Sequence, residues 1–235
     1  MKLVTYNIQS GRDAWGQLHL DKTAEAIKAL APDICGLNEV RVGCSDSGNV
    51  DQLQYLCEQT GLTGCFAPAI PMAGGRYGIG LLSKYPIVSF DVHKVPDVPL
   101  EEREPGYYEY RVIYRAVLKT DLGSLAVYGT HFGLTRPERR YAVKLAKELI
   151  SAETEQNLVF MGDLNAYPQD ETIKALEEVM HNTHSGERPV FTHHALKLDK
   201  TIDYIFTKGS LHSTAAKTSY TVASDHLPLW VELSK

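Results

Sequence analysis

Val159-Phe160-Met161-Gly162-Asp163-Leu164-Asn165 carries the plainest fold signal in the chain. A short apolar run without helical spacing reads as a buried strand, here over Asn157–Gly162. It stops at a glycine, then an acid and an amide two positions apart. In an extended segment residues i and i+2 share a face, so Asp163 and Asn165 point the same way. Chemistry-bearing side chains at the end of a buried strand suggest a site built on a sheet.

On either side the same pattern recurs. Leu3–Ile8 and Ile34–Asn38 read as buried strands, Gly78–Ser83 as another, and Ile202–Thr207 and Leu229–Leu233 as closing strands. Tyr110–Leu118 and Leu125–Thr130 flank Thr120-Asp121-Leu122-Gly123, which signals a hairpin. Helical spacing appears over Leu20–Ala31, Val50–Thr60 and Thr172–Met180. Thr135-Arg136-Pro137-Glu138 is a capping box with proline just inside the start of a helix reaching Ala152. Residues 41–49, 62–77, 89–109 and 181–200 read as long connections. Alternation of strands and helices along the whole chain, with no linker or repeat, predicts one α/β domain over residues 1–235 with mixed sheets.

Composition bounds the function. The chain has 235 residues, 43% hydrophobic and 23% charged, which excludes a disordered protein. Its 24 Lys and Arg against 29 Asp and Glu give a net charge of -5, which opposes tight sequence-independent binding of duplex nucleic acid. No run is long enough for a transmembrane helix. The start of the chain has no signal-peptide pattern, so a cytoplasmic location is expected. Cys35, Cys44, Cys57 and Cys65 have no CxxC spacing and read as idle thiols.

Five strand-like runs end in polar groups: Asn7, Asn38-Glu39, His131, Asp163 with Asn165, and Ser224-Asp225-His226, which precedes Leu227-Pro228-Leu229. Asp203 lies inside a strand, where a carboxylate needs a partner, and His226 can supply one. Each residue alone could be a turn former, a cap or a satisfied core group. Together, carboxylates with amides and few thiols make a hard-oxygen set suited to Mg2+ or Mn2+. An Asp–His pair fixes the imidazole tautomer and favours its protonated form. The set suits phosphoester hydrolysis by positioning and electrostatics.

These motifs identify a resemblance. Gly162-Asp163-Leu164-Asn165 and Ser224-Asp225-His226 look like the GDxN and SDH signatures of the endonuclease/exonuclease/phosphatase superfamily. Asn38-Glu39-Val40 resembles its QEV-type motif, with Asn in place of the usual Gln. Tyr77–Pro86 and Thr201-Ile202-Asp203-Tyr204-Ile205 look like two further strands of the family. The resemblance implies a four-layer α/β sandwich, two mixed sheets face to face with helices outside. It implies Glu39 as main metal ligand, with Asn7 and Asp225 nearby, and Mg2+ or Mn2+ as cofactor. Asp163 and Asn165 would contact water and phosphate. His226, oriented by Asp203, would contact the scissile phosphate or serve as acid/base, the base being either Asp163 or His226. His131 and Arg115 would contact phosphate.

The expected activity is that of a monomeric phosphodiesterase acting on a nucleic acid, a phospholipid headgroup or a small phosphorylated metabolite. Gln9, where abasic-site endonucleases of the superfamily carry an acid, weighs against DNA repair. A non-catalytic phosphate-binding module is the alternative, and the survival of both the GDxN and SDH residues weighs against it. A zinc site at His181, His184, His193 and His194 lacks a defined ligand set, and a polar loop over the active site is expected there instead. Ser224 lacks a nucleophile elbow.

Overall fold

A computed structural model describes residues 1–184 and 189–235. The strands are β1 (Lys2–Asn7), β2 (Ile34–Val42), β3 (Thr63–Met72), β4 (Gly75–Ser83), β5 (Ile87–Lys94), β6 (Val112–Thr120), β7 (Gly123–His131), β8 (Leu158–Asp163), β9 (His181–Asn182), β10 (Asp203–Lys208), β11 (His212–Ser213), β12 (Lys217–Thr218) and β13 (Leu229–Ser234). The helices are α1 (Leu20–Leu30), α2 (Gln52–Thr60), α3 (Arg136–Ala152) and α4 (Glu171–Glu177).

Among the described residues the strands form two mixed sheets. One runs β11-β13-β1-β2-β4-β3, with β12 also paired to β13; the other runs β5-β6-β7-β8-β10-β9. Period-2 alternation explains how they stack. In β1, Leu3 lies in the core between the sheets while Val4 and Tyr6 pack toward α1 and α2. In β8, Val159 and Met161 face that central core while Leu158 and Phe160 face α3 and α4. The result is the four-layer sandwich that the resemblance implies.

Each sheet holds one parallel pair joined through a helix. β1 pairs with β2 around α1, and β7 pairs with β8 around α3. The last paired positions are Asn7 beside Asn38 in one sheet and His131 beside Asp163 in the other. Ligands of α/β sheets gather beyond the carboxyl ends of parallel strands, and here two such ends face each other. The expected cap of α3 is present, with Thr135 Oγ1 accepting from the Glu138 amide at 3.4 Å and Glu138 Oε2 accepting from the Thr135 amide at 3.1 Å.

Two expected connections are strands. Thr63–Met72 and Ile87–Lys94 form β3 and β5, each the outermost strand at one end of its sheet. Both are half-exposed and both pair with a register shift, between Pro68 and Ile70 in β3 and between Ile87 and Ser89 in β5. Edge strands tolerate proline and polar residues, which is why their pattern reads as loop. The helix expected from Val50 begins at Gln52, because Asp51 caps it by accepting from the Gln54 amide. The helix expected to reach Met180 ends at Glu177. The expected connection 181–200 includes 185–188, which lie outside the described residues. Among the described residues no helix is long and apolar enough to cross a membrane.

Candidate active site

The facing strand ends are stitched together by side chains. Asn7 Nδ2 donates to Glu39 Oε1 and to Asp163 Oδ2, both at 3.1 Å. Asn38 Nδ2 donates to the Thr130 carbonyl at 2.6 Å, and Asn38 Oδ1 accepts from the Asp163 amide at 3.2 Å. The register of β2 against β4 then slips between Leu37 and Val40, and Glu39 sits at φ +60°. This is a bulge within β2, which re-aims a side chain. It lets Asn38 face the opposite sheet and Glu39 the cleft. Gly162 has φ +148°, and any Cβ there would collide with the Thr130 carbonyl on β7. Only glycine lets β8 run this close to β7 and deliver Asp163 beside His131. Asn165, at φ +48°, donates its amide to Asp163 Oδ1 at 2.9 Å and its side chain to the Phe132 carbonyl at 2.9 Å.

β10 carries Asp203 opposite Asp163 in register. His226 Nδ1 lies 2.8 Å from Asp203 Oδ2, and Nε2 lies 3.7 Å from Asp163 Oδ2. All three residues are buried. Ser224 Oγ donates to the Asn7 carbonyl at 2.7 Å and anchors the loop before His226 to β1. A cleft of about 470 Å3 is lined by His131, Asp163, Asn165 and His226 together with Glu39, Arg111, His193 and Asp225.

Electrostatics sorts the groups. Burial opposes charge on His226, but Asp203, then Asp163 and Asp225, outweigh it and hold the imidazole protonated above its usual range. Burial, with Asp203 beside it, pushes the Asp163 carboxyl up. His131 is driven well down by burial and by the neighbouring Arg111, so its ring is neutral. Arg111 Nη1 lies 3.0 Å from His131 Nδ1. A guanidinium can only donate, so Nδ1 accepts and the His131 proton sits on Nε2, which lies 3.7 Å from Asp163 Oδ2. His193 lies against the His226 ring at 4.7 Å between centroids, and burial brings it down to about 4.

A profile of the endonuclease/exonuclease/phosphatase family matches residues 4–226. The chain belongs to this family. Solved structures of similar fold include the endonuclease/exonuclease/phosphatase from Beutenbergia cavernae DSM 12333 (TM-score 0.81, 20% identity, covering 99% of this chain and 71% of that one). The mannosyl-6-phosphatase of Bacteroides thetaiotaomicron VPI-5482 covers 100% of both chains at TM-score 0.78 and 18% identity. The human Nocturnin catalytic domain with bound sulfate anion has TM-score 0.71 and 19% identity, covering 100% of this chain and 93% of that one. Compared with curated protein sequences, the chain has no match.

This endonuclease/exonuclease/phosphatase member brings Asn7, Glu39, His131, Asp163, Asn165, Asp203, Asp225 and His226 to one place. Arg115 is a correction. It sits on the helix-facing side of β6, alternating with Tyr114 and Ala116 of the central core, and its Nε and Nη2 donate to Glu153 at 2.7 and 2.8 Å. The arginine in the cleft is Arg111, which precedes β6 and also pairs with Glu109 at 2.9 Å. Period-2 alternation through Tyr114, Ala116 and Leu118 could have placed Arg115 on the wrong face for the site. Of the four loop histidines, His193 reaches the cleft, whereas His184 packs on the Tyr204 ring and His181 is exposed on β9. Among the described residues they do not form one metal-ligand group.

The donor set fits a hard divalent cation. Glu39 and Asp225 offer carboxylate oxygens in one cleft, and burial pushes the Glu39 carboxyl up while the Asn7 amide donates to it. Asp225 adds to the cost of ionising Glu39, which a bound cation would relieve.

Proposed function

We propose that the chain is a divalent-metal-dependent phosphoester hydrolase, a single catalytic domain whose first substrate to test is a small phosphodiester. The observation that carries the reading is His226, held at 2.8 Å by Asp203 with its other nitrogen turned toward Asp163, in the cleft that also holds Glu39 and Asp225. Mg2+ or Mn2+ bound by Glu39 and Asp225, with Asn7 adjacent, would polarise a phosphoryl oxygen and stabilise charge on the leaving oxygen.

The chain's own groups divide the remaining work. His226 keeps its proton because two carboxylates flank it, so it meets a phosphoryl oxygen as a cationic donor. Burial, with Arg111 beside it, holds His131 neutral, and its Nε2 proton is free to donate into the cleft. Asn165 is locked through its amide and side chain and orients whatever approaches Asp163. Asp163, with its carboxyl pushed up by burial, is the group placed to accept a proton from an attacking water, while His226 stays protonated. Family membership supports this reading, as do the phosphatase and the sulfate-binding catalytic domain that share the fold.

The test is release of p-nitrophenol from bis(p-nitrophenyl) phosphate and, as the monoester arm, p-nitrophenyl phosphate. Turnover that requires Mg2+ or Mn2+ and falls on the order of a hundredfold or more in Asp163→Asn and His226→Asn is expected. No metal-dependent turnover of either ester overturns the proposal.

A further inference from the structure

The cleft has a lateral extension. A cavity of about 410 Å3 opens where the outer strands β3 and β5 leave the two sheets unjoined, and it shares Tyr107, Glu109 and Arg111 with the active-site cleft. A group attached to a phosphate bound beside Arg111 therefore lies next to it, across these three residues. One wall is apolar: Ile70 of β3, with Val95 and Val98 in the segment after β5.

The charges in this annex decide what it can hold. Its lining carries Asp97, Glu109 and Glu138 against Arg103 and Arg111. Arg111 is committed to Glu109 and His131. Arg103 lies over the Tyr108 ring at 4.8 Å, with its Nε donating to the Val98 carbonyl at 3.1 Å. Three carboxylates outnumber two arginines in the lining, so a polynucleotide or pyrophosphate chain would meet no net positive charge there. Tyr110 is covered by Lys94 at 3.9 Å. Tyr107, among the described residues, has no stacking or cationic partner and is 64% exposed at the junction of the two cavities. An aromatic face beside an apolar wall suits a flat ring.

Resting on the hydrolase reading above, we infer that the annex receives the group esterified to the phosphate, and that this group is an uncharged planar ring stacked on Tyr107 and packed against Ile70 and Val98. The enzyme then selects small ring-bearing phosphoesters over nucleic acid, in keeping with the net charge of -5.

The experiment is calorimetric titration of the metal-loaded chain with inorganic phosphate, methylphosphonate and phenylphosphonate. The two phosphonates carry the same charge and differ by the ring. Phenylphosphonate is expected to bind about tenfold or more tightly than methylphosphonate. Val98→Trp, which fills the annex, is expected to erase that ratio and leave phosphate affinity within about twofold. Ile70→Trp does the same from a half-buried edge strand, where a misfolded protein is less of a risk. Phosphate binding with equal phosphonate affinities, or a ratio that survives Ile70→Trp, overturns the annex and leaves the hydrolase reading standing. Failure of all three anions to bind overturns both.

Discussion

Asn38 Oδ1 accepts the backbone amide of Asp163 at 3.2 Å, across the gap between the two sheets. The same side chain donates to the Thr130 carbonyl at 2.6 Å, so one buried amide holds both strands that deliver the acid and the imidazole. Asn38→Ala removes both of these buried hydrogen bonds between the sheets, which costs about 1–3 kcal/mol. A drop in the urea midpoint without a change in m-value is expected, together with reduced turnover. An unchanged midpoint would mean that the two sheets align without this link.

Asp203→Asn removes the main group that keeps His226 protonated. The folded value of His226 is raised, so its proton persists above the usual range and is lost only as pH climbs well past it. In the variant that proton leaves at lower pH. The alkaline limb of kcat is therefore expected to move down, with kcat falling about 10²–10⁴-fold. A pH–rate profile with the alkaline limb in place would remove Asp203 from the dyad.

Arg111 and Arg115 separate function from stability. Arg111→Ala frees His131 from its guanidinium partner and leaves Glu109 unpaired, so turnover should fall by about 10²-fold or more. Arg115→Ala should leave turnover of the folded enzyme near wild type, since Arg115 lies on the helix-facing side of its sheet. Steady-state kinetics on the two variants side by side checks the assignment; equal losses of kcat would refute it.

Glu153 makes the stability side of that contrast pH-dependent. Burial would raise its carboxyl, but hydrogen bonds from Arg115 and Tyr128 bring it down to about 2, against an ordinary 4.5. A depressed folded value contributes stability above about pH 4.5, and that contribution is lost as pH falls toward 2. Glu153→Gln should cost about 2–3 kcal/mol at neutral pH and much less near pH 2. Chemical denaturation across that range would show a parallel offset if the pair contributes nothing.

Glu39→Gln tests the metal assignment apart from catalysis. Loss of one carboxylate from a hard-cation site should weaken Mn2+ binding on the order of a hundredfold, read by titration calorimetry. Undiminished Mn2+ affinity would place the ion elsewhere.

Contiguous residues were enough to establish the alternation of strands and helices, the Thr135 cap, and which residues within a strand share a face. Backbone sterics and period-2 burial act locally, so they leave a local record. The polar ends of β1, β7 and β8 were legible for the same reason, whereas Glu39 lies at a bulge within β2 and Asp225 and His226 in the loop before β13. The Asp203–His226 pair was legible because a buried carboxylate demands a partner. Which ends meet was settled by long-range packing. Asn7 and Asp163 touch although 156 positions separate them. The slip that turns Glu39 into the cleft depends on the pairing of β2 with β4. β3 and β5 became strands only because each had a sheet edge to join, and their prolines and polar residues are tolerated there. Arg111 took the place expected of Arg115 because strand register chooses the face, and an arginine just outside a strand can reach where one inside it cannot.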